Sequence, residues 1–465
     1  MTHGAAASST VGRDVLRYGA AVAVAVALGA VQVFVLPRRL DLATYGEYRF
    51  FLIYYGYIGI LHFGLADGAF VRWAGMPRGT VRAEWPRVLA WMIALQGVMV
   101  ALAVGLGTAA PPLERTYIVG FTAAALCANV ATLMSYALQA VGNFQAAGLV
   151  AVLPPAVFVT GVLAAGPRTL GAVLATQVTA LAVAATVGIV AVARIRDARA
   201  AAGRAPSPGS LVRVGLPVLG ANLAAGVSQF ADRILVSVSV PTTSLALYGF
   251  ASTVMVAASA ATQTLSRVAL SHAARRPGAT RATVLDGVYD LIAMGFGGAL
   301  TMLPLFEYLV ERTLPTYAPA IPIVRALVVG VPFWVAVHVV LVGTLQSYGK
   351  VRRQLALELA GTALVLLACG GCLMLGGPLW TVAAASSAAA IVIWGVGVTL
   401  VHRWVPESIG GHAPRFAARI AWQGTAVLAV ALLPGPWAIR SLAYVLLAAL
   451  PTFGATRAAR ALWRR

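Results

Sequence analysis

Fourteen apolar runs separated by short polar stretches make up most of this chain. They fall at 18–36, 50–71, 88–108, 117–139, 146–165, 171–193, 214–238, 246–268, 287–308, 322–345, 355–376, 379–401, 420–435 and 441–456. A helix that crosses a bilayer needs about 20 apolar residues. The pattern therefore predicts an all-α, polytopic membrane protein with about 14 transmembrane helices. These spans and their loops use nearly all 465 residues, so no gap can hold a folded soluble domain. The first run follows Arg13 and Arg17, as a secretory signal would. It is long for a signal core and leads into a basic, aromatic loop, so a retained first helix is expected.

Charge supplies the orientation. Of the 34 Lys and Arg residues, 24 lie in the two tails or in every second gap, such as Arg72, Arg78, Arg82 and Arg87 after run 2 and Lys350, Arg352 and Arg353 after run 10. The alternate gaps hold seven, and only Arg233, Arg267 and Arg325 fall within runs. Basic residues near span ends stay cytoplasmic, so both termini are expected in the cytoplasm. The 60% hydrophobic content and mean hydropathy of +0.86 turn the net charge of +20 into a topology signal and a handle for anionic headgroups. It does not point to nucleic acid. Membrane lipids are expected partners.

The loop RIRDARAAAGRAPSPGSLVR at 194–213 separates six runs from eight. Three short matches cross it in order: VLRYGA at 15–20 with LVRVGL at 211–216, ATYGEY at 43–48 with ALYGFA at 246–251, and ALQAVGN at 137–143 with TLQSYGK at 344–350. Matching segments begin on one membrane side, as parallel repeats do. The expected organisation is an N-lobe over 1–197, a linker over 198–213, a C-lobe over 214–403, and two further spans with a basic tail over 404–465.

Polar groups at membrane depth are costly and face a partner or a wet cavity. In run 7, Gly215, Asn222, Gly226, Gln229 and Arg233 fall on one helical stripe, with Asp232 about a quarter-turn aside. In run 8, Tyr248, Ser252, Ser259, Gln263 and Ser266 share a stripe, with Arg267 at its edge. Either these stripes wall a polar cavity or their Gln and Ser side chains join helices. In run 2, Phe51, Tyr55 and His62 share a face around Ile58, and Asp67 and Arg72 follow. His62 is a candidate proton carrier or a neutral hydrogen-bonded histidine. Asp67 is expected to pair with a basic group from another helix. Asp232 is a coupling carboxylate or an arginine's partner. Arg325 and His338 in run 10 are further candidates. Asp290, Glu307 and Glu358, near span ends, are expected at the interface. Cys127, Cys369 and Cys372 all lie within runs. The C-x-x-C at 369–372 lacks both a nearby cation and a second pair, so packing is expected and no metal site. No phosphate-binding Gly-Lys-Ser/Thr loop and no nucleophile elbow occurs, so the chain is not read as an enzyme.

RRLDLATYGEY at 38–48, GLADGAFVRW at 64–73, GLPVLGANLAAGVSQFADRILVSV at 215–238 and LQSYGK at 345–350 resemble the polysaccharide-export or O-antigen-type flippases. Those belong to the MATE-like multidrug/oligosaccharidyl-lipid/polysaccharide (MOP) superfamily, which also holds the lipid II flippases. The resemblance runs from about residue 13 to 405. It implies two six-helix lobes that rock about a central cavity lined by spans 1, 2, 7 and 8, with two C-terminal helices forming a lipid-tail groove. It also implies alternating-access transport of a lipid-linked, undecaprenyl-pyrophosphate-type oligosaccharide in the bacterial cytoplasmic membrane, alongside a glycan polymerase and glycosyltransferases.

A pyrophosphate calls for bidentate cationic donors, and Arg49, Arg72, Arg233 and Arg267 are the candidates. Tyr55, Asn222, Gln229, Ser259 and Gln263 complete the expected substrate-facing set. His62, Asp67 and Asp232 are the ion-coupling candidates for H+ or Na+, and no other cofactor is expected. The alternative is a cation-coupled multidrug antiporter, whose cavity needs open carboxylates. A glycan polymerase or ligase would need a large external loop, and the external gaps are short.

Overall fold

The computed structural model describes residues 3–74, 76–108, 111–195, 206–253, 256, 280–348, 350–405, 413–431, 436–440, 442–443 and 446–447. Among these the chain is all-helical. Ten spans are long and apolar enough to cross a membrane, as expected of a multi-pass membrane protein. Most of run 14 and of the second half of run 8, the latter with Ser259, Gln263, Ser266 and Arg267, lies outside the described residues.

The chain divides into two compact units, Met1–Gly226 and Val227–Arg465. The first holds α1 (His3–Val35), α2 (Leu42–Tyr55), α3 (Leu65–Trp73), α4 (Arg78–Thr108), α5 (Pro112–Ala140), α6 (Phe144–Ala165), α7 (Leu170–Ala193) and most of α8 (Pro208–Ser239). Its core centres on Trp73, Met92, Leu133, Met134 and Leu138, all fully buried. Small residues let the helices close on one another. A side chain at Gly188 of α7, for example, would press on Met134 of α5.

The second unit holds α9 (242–253), α10 (Thr280–Thr313), α11 (Ile321–Ala336), α12 (Gly343–Ser347), α13 (Val351–Met374), α14 (Leu379–Trp404) and α15 (Ala413–Ala431). A π-helical turn, Val337–Val342, joins α11 to α12. Gly330 of α11 lies against Ser387 of α14, whose hydroxyl donates to the Ala326 carbonyl at 2.7 Å. This is polar glue between packed helices.

One of the short sequence matches has a counterpart in the backbone. Asn143 N–H donates to the Leu138 carbonyl at 2.8 Å, and Lys350 N–H donates to the Leu345 carbonyl at 2.8 Å. This sequence match marks two like helix junctions.

Local signals set several helix starts. Asp41, Asn143 and Thr169 cap α2, α6 and α7 by accepting a backbone N–H with the side chain. At Asp41 the carboxylate takes both Thr44 N–H (2.9 Å) and Thr44 Oγ1–H (2.8 Å). These bonds hold its pKa below the usual carboxylate value. A lowered folded-state pKa gives stability that is present above the unfolded pKa and lost as pH falls through the folded one. Asp41→Asn keeps an acceptor for the cap but removes that dependence. Its melting temperature is expected to lie below wild type at neutral pH and to converge with it in acid. A constant gap across the series would show that the charge is irrelevant there.

Candidate functional site

Run 2 is broken where an unbroken span is expected. α2 stops at Tyr55, a 3-10 turn covers Ile58–His62, and Phe63 (φ 48°) and Gly64 (φ 77°) are left-handed before α3 begins. Phe51, Tyr55 and His62 therefore do not lie on one continuous helix face. Glycines at 56, 59 and 64 are the sequence signal for the interruption.

Irregular backbone at membrane depth must have its polar groups satisfied by protein. Gln96 of α4 donates to the Leu61 carbonyl at 2.8 Å. Asn129 of α5 donates to the Ile58 carbonyl at 3.3 Å. Both side chains are buried, and their role is not evident from the run pattern.

His62 and Asp67 flank the break, at 4% and 5% exposure. Gly64 N–H donates to His62 Nδ1 at 3.1 Å. In the neutral ring the proton therefore sits on Nε2, which faces Asp67 Oδ2 at 3.8 Å. Asp67 meets a histidine of its own span where a base from another helix is expected. It also occupies the first turn of α3, where the helix dipole favours a carboxylate. A second proton on His62 Nδ1 would displace the Gly64 N–H, so protonation and the shape of the break are linked.

The arginines divide. Arg72 is held in a fork by Glu84, Nη2 to Oε1 at 2.7 Å and Nε to Oε2 at 3.0 Å, and Trp73 Nε1–H donates to the same carboxylate at 3.1 Å. Arg49 of α2 is half-buried, and its Nε–H is buried without a hydrogen-bond acceptor. Tyr55 stacks on Phe51 with centroids 5.8 Å apart.

α8 presses its backbone onto the broken segment. A Cβ at Gly215 would overlap the Gly64 carbonyl and the Gly68 N–H, and one at Gly68 would overlap the Leu211 carbonyl. Tyr57 Oη–H donates to the Gly226 carbonyl at 3.4 Å. Asn222 is exposed.

In the second unit Gln229 is half-buried. Arg233 is buried, with its guanidinium 4.6 Å from the Phe230 ring centroid. Asp232, 4% exposed, accepts from Tyr248 Oη at 2.6 Å, from Ser386 Oγ at 3.3 Å and from Arg233 N–H at 2.8 Å. Tyr248, assigned to the polar stripe of run 8, is thus a ligand of this carboxylate. Glu307 and Glu358 are buried. Arg325 holds Glu307 in a two-pronged pair, 2.7 Å at each contact. The Cys369 thiol donates to the Val382 carbonyl at 3.5 Å. Among the described residues no three His, Cys, Asp or Glu side chains form a metal-ligating group.

Solved structures share this architecture. A lipid II flippase MurJ in an inward closed conformation matches with a TM-score of 0.70 at 11% identity, covering 96% of this chain and 99% of that one. The likeness is one of fold. An inward-facing multidrug resistance MATE transporter of the MOP superfamily matches with a TM-score of 0.62 at 15% identity, over 87% of this chain and 95% of the other. A MOP transporter from Pyrococcus furiosus, described as having a binding pocket of reversed polarity, matches with a TM-score of 0.54 at 16% identity, over 87% and 96%. No family model matches the chain, and no curated protein does.

Proposed function

We propose that this chain is a flippase for a lipid-linked oligosaccharide with a pyrophosphate head, working by alternating access in a bacterial cytoplasmic membrane with both termini cytoplasmic. The observation that carries the reading is the charge balance of the buried groups. Glu84, Glu307 and Asp290 are engaged by Arg72, Arg325 and Arg419, and Asp232 is taken by hydroxyls. Arg49 keeps a buried donor with no acceptor. Asp67 and Glu358 are buried and each faces a histidine; an anionic cargo fits this set, whereas a carrier of cationic drugs needs accessible carboxylates. MurJ, a lipid II flippase, also matches over more of the chain than the MATE transporters do.

In this reading Arg49, Arg233 and Arg267 engage the phosphates. Tyr55, Asn222, Gln229, Ser259 and Gln263 line the sugar path. H+ or Na+ acts at His62, Asp67 or Asp232, and the glycan polymerase and glycosyltransferases of the pathway are partners. Arg72 is primarily the partner of Glu84.

The test is a proteoliposome assay with a fluorescent polyprenyl-pyrophosphate oligosaccharide, scored by access of an external quencher. Wild type is expected to translocate it. Arg49→Ala is expected to lose about tenfold, one charge-assisted contact's worth, and Arg49→Lys to recover part. Absence of glycolipid movement, together with gradient-driven accumulation of ethidium, would replace this proposal with the antiporter.

A further inference from the structure

We infer that His338 and Glu358 form a proton-binding site in the second unit, a site that the proposed transport scheme does not use. Glu358 of α13 is 2% exposed, and neither carboxylate oxygen has a hydrogen-bond partner. The one charged or titratable group paired with it among the described residues is His338, whose Nε2 lies 3.6 Å from Glu358 Oε2.

The imidazole's tautomer decides what that gap contains. His338 Nδ1 lies 2.9 Å from the Trp334 carbonyl. A carbonyl only accepts, so Nδ1 carries hydrogen. In a neutral ring Nε2 is then a bare lone pair, and it faces a carboxylate oxygen. Two acceptors opposed in an apolar interior repel unless a proton lies between them. With one proton the pair is net neutral, written either as imidazolium with carboxylate or as imidazole with carboxylic acid. Without it the pair is a lone buried anion.

The first unit offers the contrast. There the ring is fixed the other way: Gly64 N–H occupies His62 Nδ1, and the Nε2–H faces Asp67. In that pair a neutral histidine already turns an N–H toward the carboxylate. The His338 pair requires the additional proton.

Neighbouring charges do not supply a substitute. On α10, Asp290 is engaged by Arg419 and Glu307 by Arg325 and Arg440, while Glu311 and Arg312 lie at that helix's C-terminal end. On α13, Arg352 and Arg353 open the helix, and Arg353 sits over Trp404. His402 and Arg403 close α14.

His338 is the second residue of the π turn Val337–Val342. Such turns are rare and concentrate at functional positions. The imidazole thus ties the proton to a helical segment whose hydrogen-bond register differs from that of the helices on either side. Glu358 lies seven residues into α13, about 12 Å along its axis from the basic junction at Lys350, which the charge pattern places at the cytoplasmic face.

Histidine-selective 15N NMR of the full chain in nanodiscs, without cargo, tests the site. The His338 signal is assigned by its loss in His338→Gln. The expected spectrum has hydrogen on Nδ1 throughout, with Nε2 protonating as pH falls. In Glu358→Gln the His338 15N signals at a fixed pH are expected to move, because the carboxylate that faces Nε2 is gone. Glu358→Asp, which keeps the charge, is expected to fall between the two and serves should the Gln variant not fold. Amide exchange over Val337–Val342 is expected to follow the same pH dependence in wild type and to lose it in Glu358→Gln. A His338 signal with hydrogen on Nε2 alone, or a titration unmoved by both substitutions, overturns the inference. Neither outcome depends on the transport assay.

Discussion

Gly215→Ala lowers the melting temperature of the purified protein, whereas Gly220→Ala, five residues further along α8, raises it. Both substitutions gain helix propensity, by about 1 kcal/mol each. At Gly220 a methyl group meets nothing within 4 Å, so that gain stands alone. At Gly215 the new Cβ falls on the Gly64 carbonyl and the Gly68 N–H. These are backbone atoms and cannot rotate aside. Gly64 is already fixed at φ 77°, and its carbonyl accepts the Gly68 N–H at 2.8 Å in the first turn of α3. The methyl group must therefore part α8 from the broken segment or open that turn. Overpacking typically costs about 1–3 kcal/mol, and an immobile neighbour puts this site at the upper end. The net expectation is a loss of about 2 kcal/mol at Gly215 against a gain of up to about 1 kcal/mol at Gly220. Thermal unfolding of the two variants in one detergent measures the opposition. Equal stabilisation of both would show that α8 does not rest on the break.

The same contact clarifies what the broken span can do. Its carbonyls are held by Gln96 and Asn129, its one histidine by Gly64 N–H, and its outer surface by the glycine of α8. Each of these is a discrete bond that is either made or broken. Any rearrangement of the segment would have to break one or more of these bonds. A proton on His62 Nδ1 removes the Gly64 bond and adds a cation opposite Asp67. That one event therefore acts on both the charge and the geometry of the break.

The spans were legible because twenty apolar residues have few other uses. The repeats were legible because helix junctions such as Leu138 with Asn143 and Leu345 with Lys350 need particular turn residues. The break at 56–64 was harder to read. Ile58, Ile60, Leu61 and Phe63 keep the segment apolar whether or not it is helical, so hydropathy does not register the change; only the three glycines hint at it. Charge pairing was less legible still. Arg325 reaches a carboxylate 18 residues back, and Asp232 is met by Ser386, 154 residues away. Both distances are set by packing that no local pattern encodes. The stripe of run 7 was visible as spacing, yet its members have unlike surroundings: Asn222 is exposed, Gln229 half-buried and Arg233 buried.

Arg72 has an observed role at Glu84 and a proposed one at the cargo, and a double-mutant cycle separates the two. Its fork and the Trp73 indole share one buried carboxylate, Glu84. Removing one partner of a buried pair costs about 3–5 kcal/mol. Arg72 keeps 28% side-chain exposure, and that solvent access reduces the figure. Glu84→Leu is expected to destabilise by about 2–3 kcal/mol, because it leaves a guanidinium and a fully buried indole N–H without their acceptor. Arg72→Leu is expected to cost less, since Trp73 still satisfies one oxygen. The double variant is expected to recover about 1–2 kcal/mol of the summed loss, an apolar pair having replaced a broken ionic one. Transport then discriminates. If Arg72 serves only Glu84, glycolipid flipping recovers in the double variant along with the melting temperature. If Arg72 also touches the cargo, the melting temperature recovers and flipping does not, because no cation replaces the one removed. Recovery of neither would mean that Glu84 has a role beyond the two groups seen to hold it.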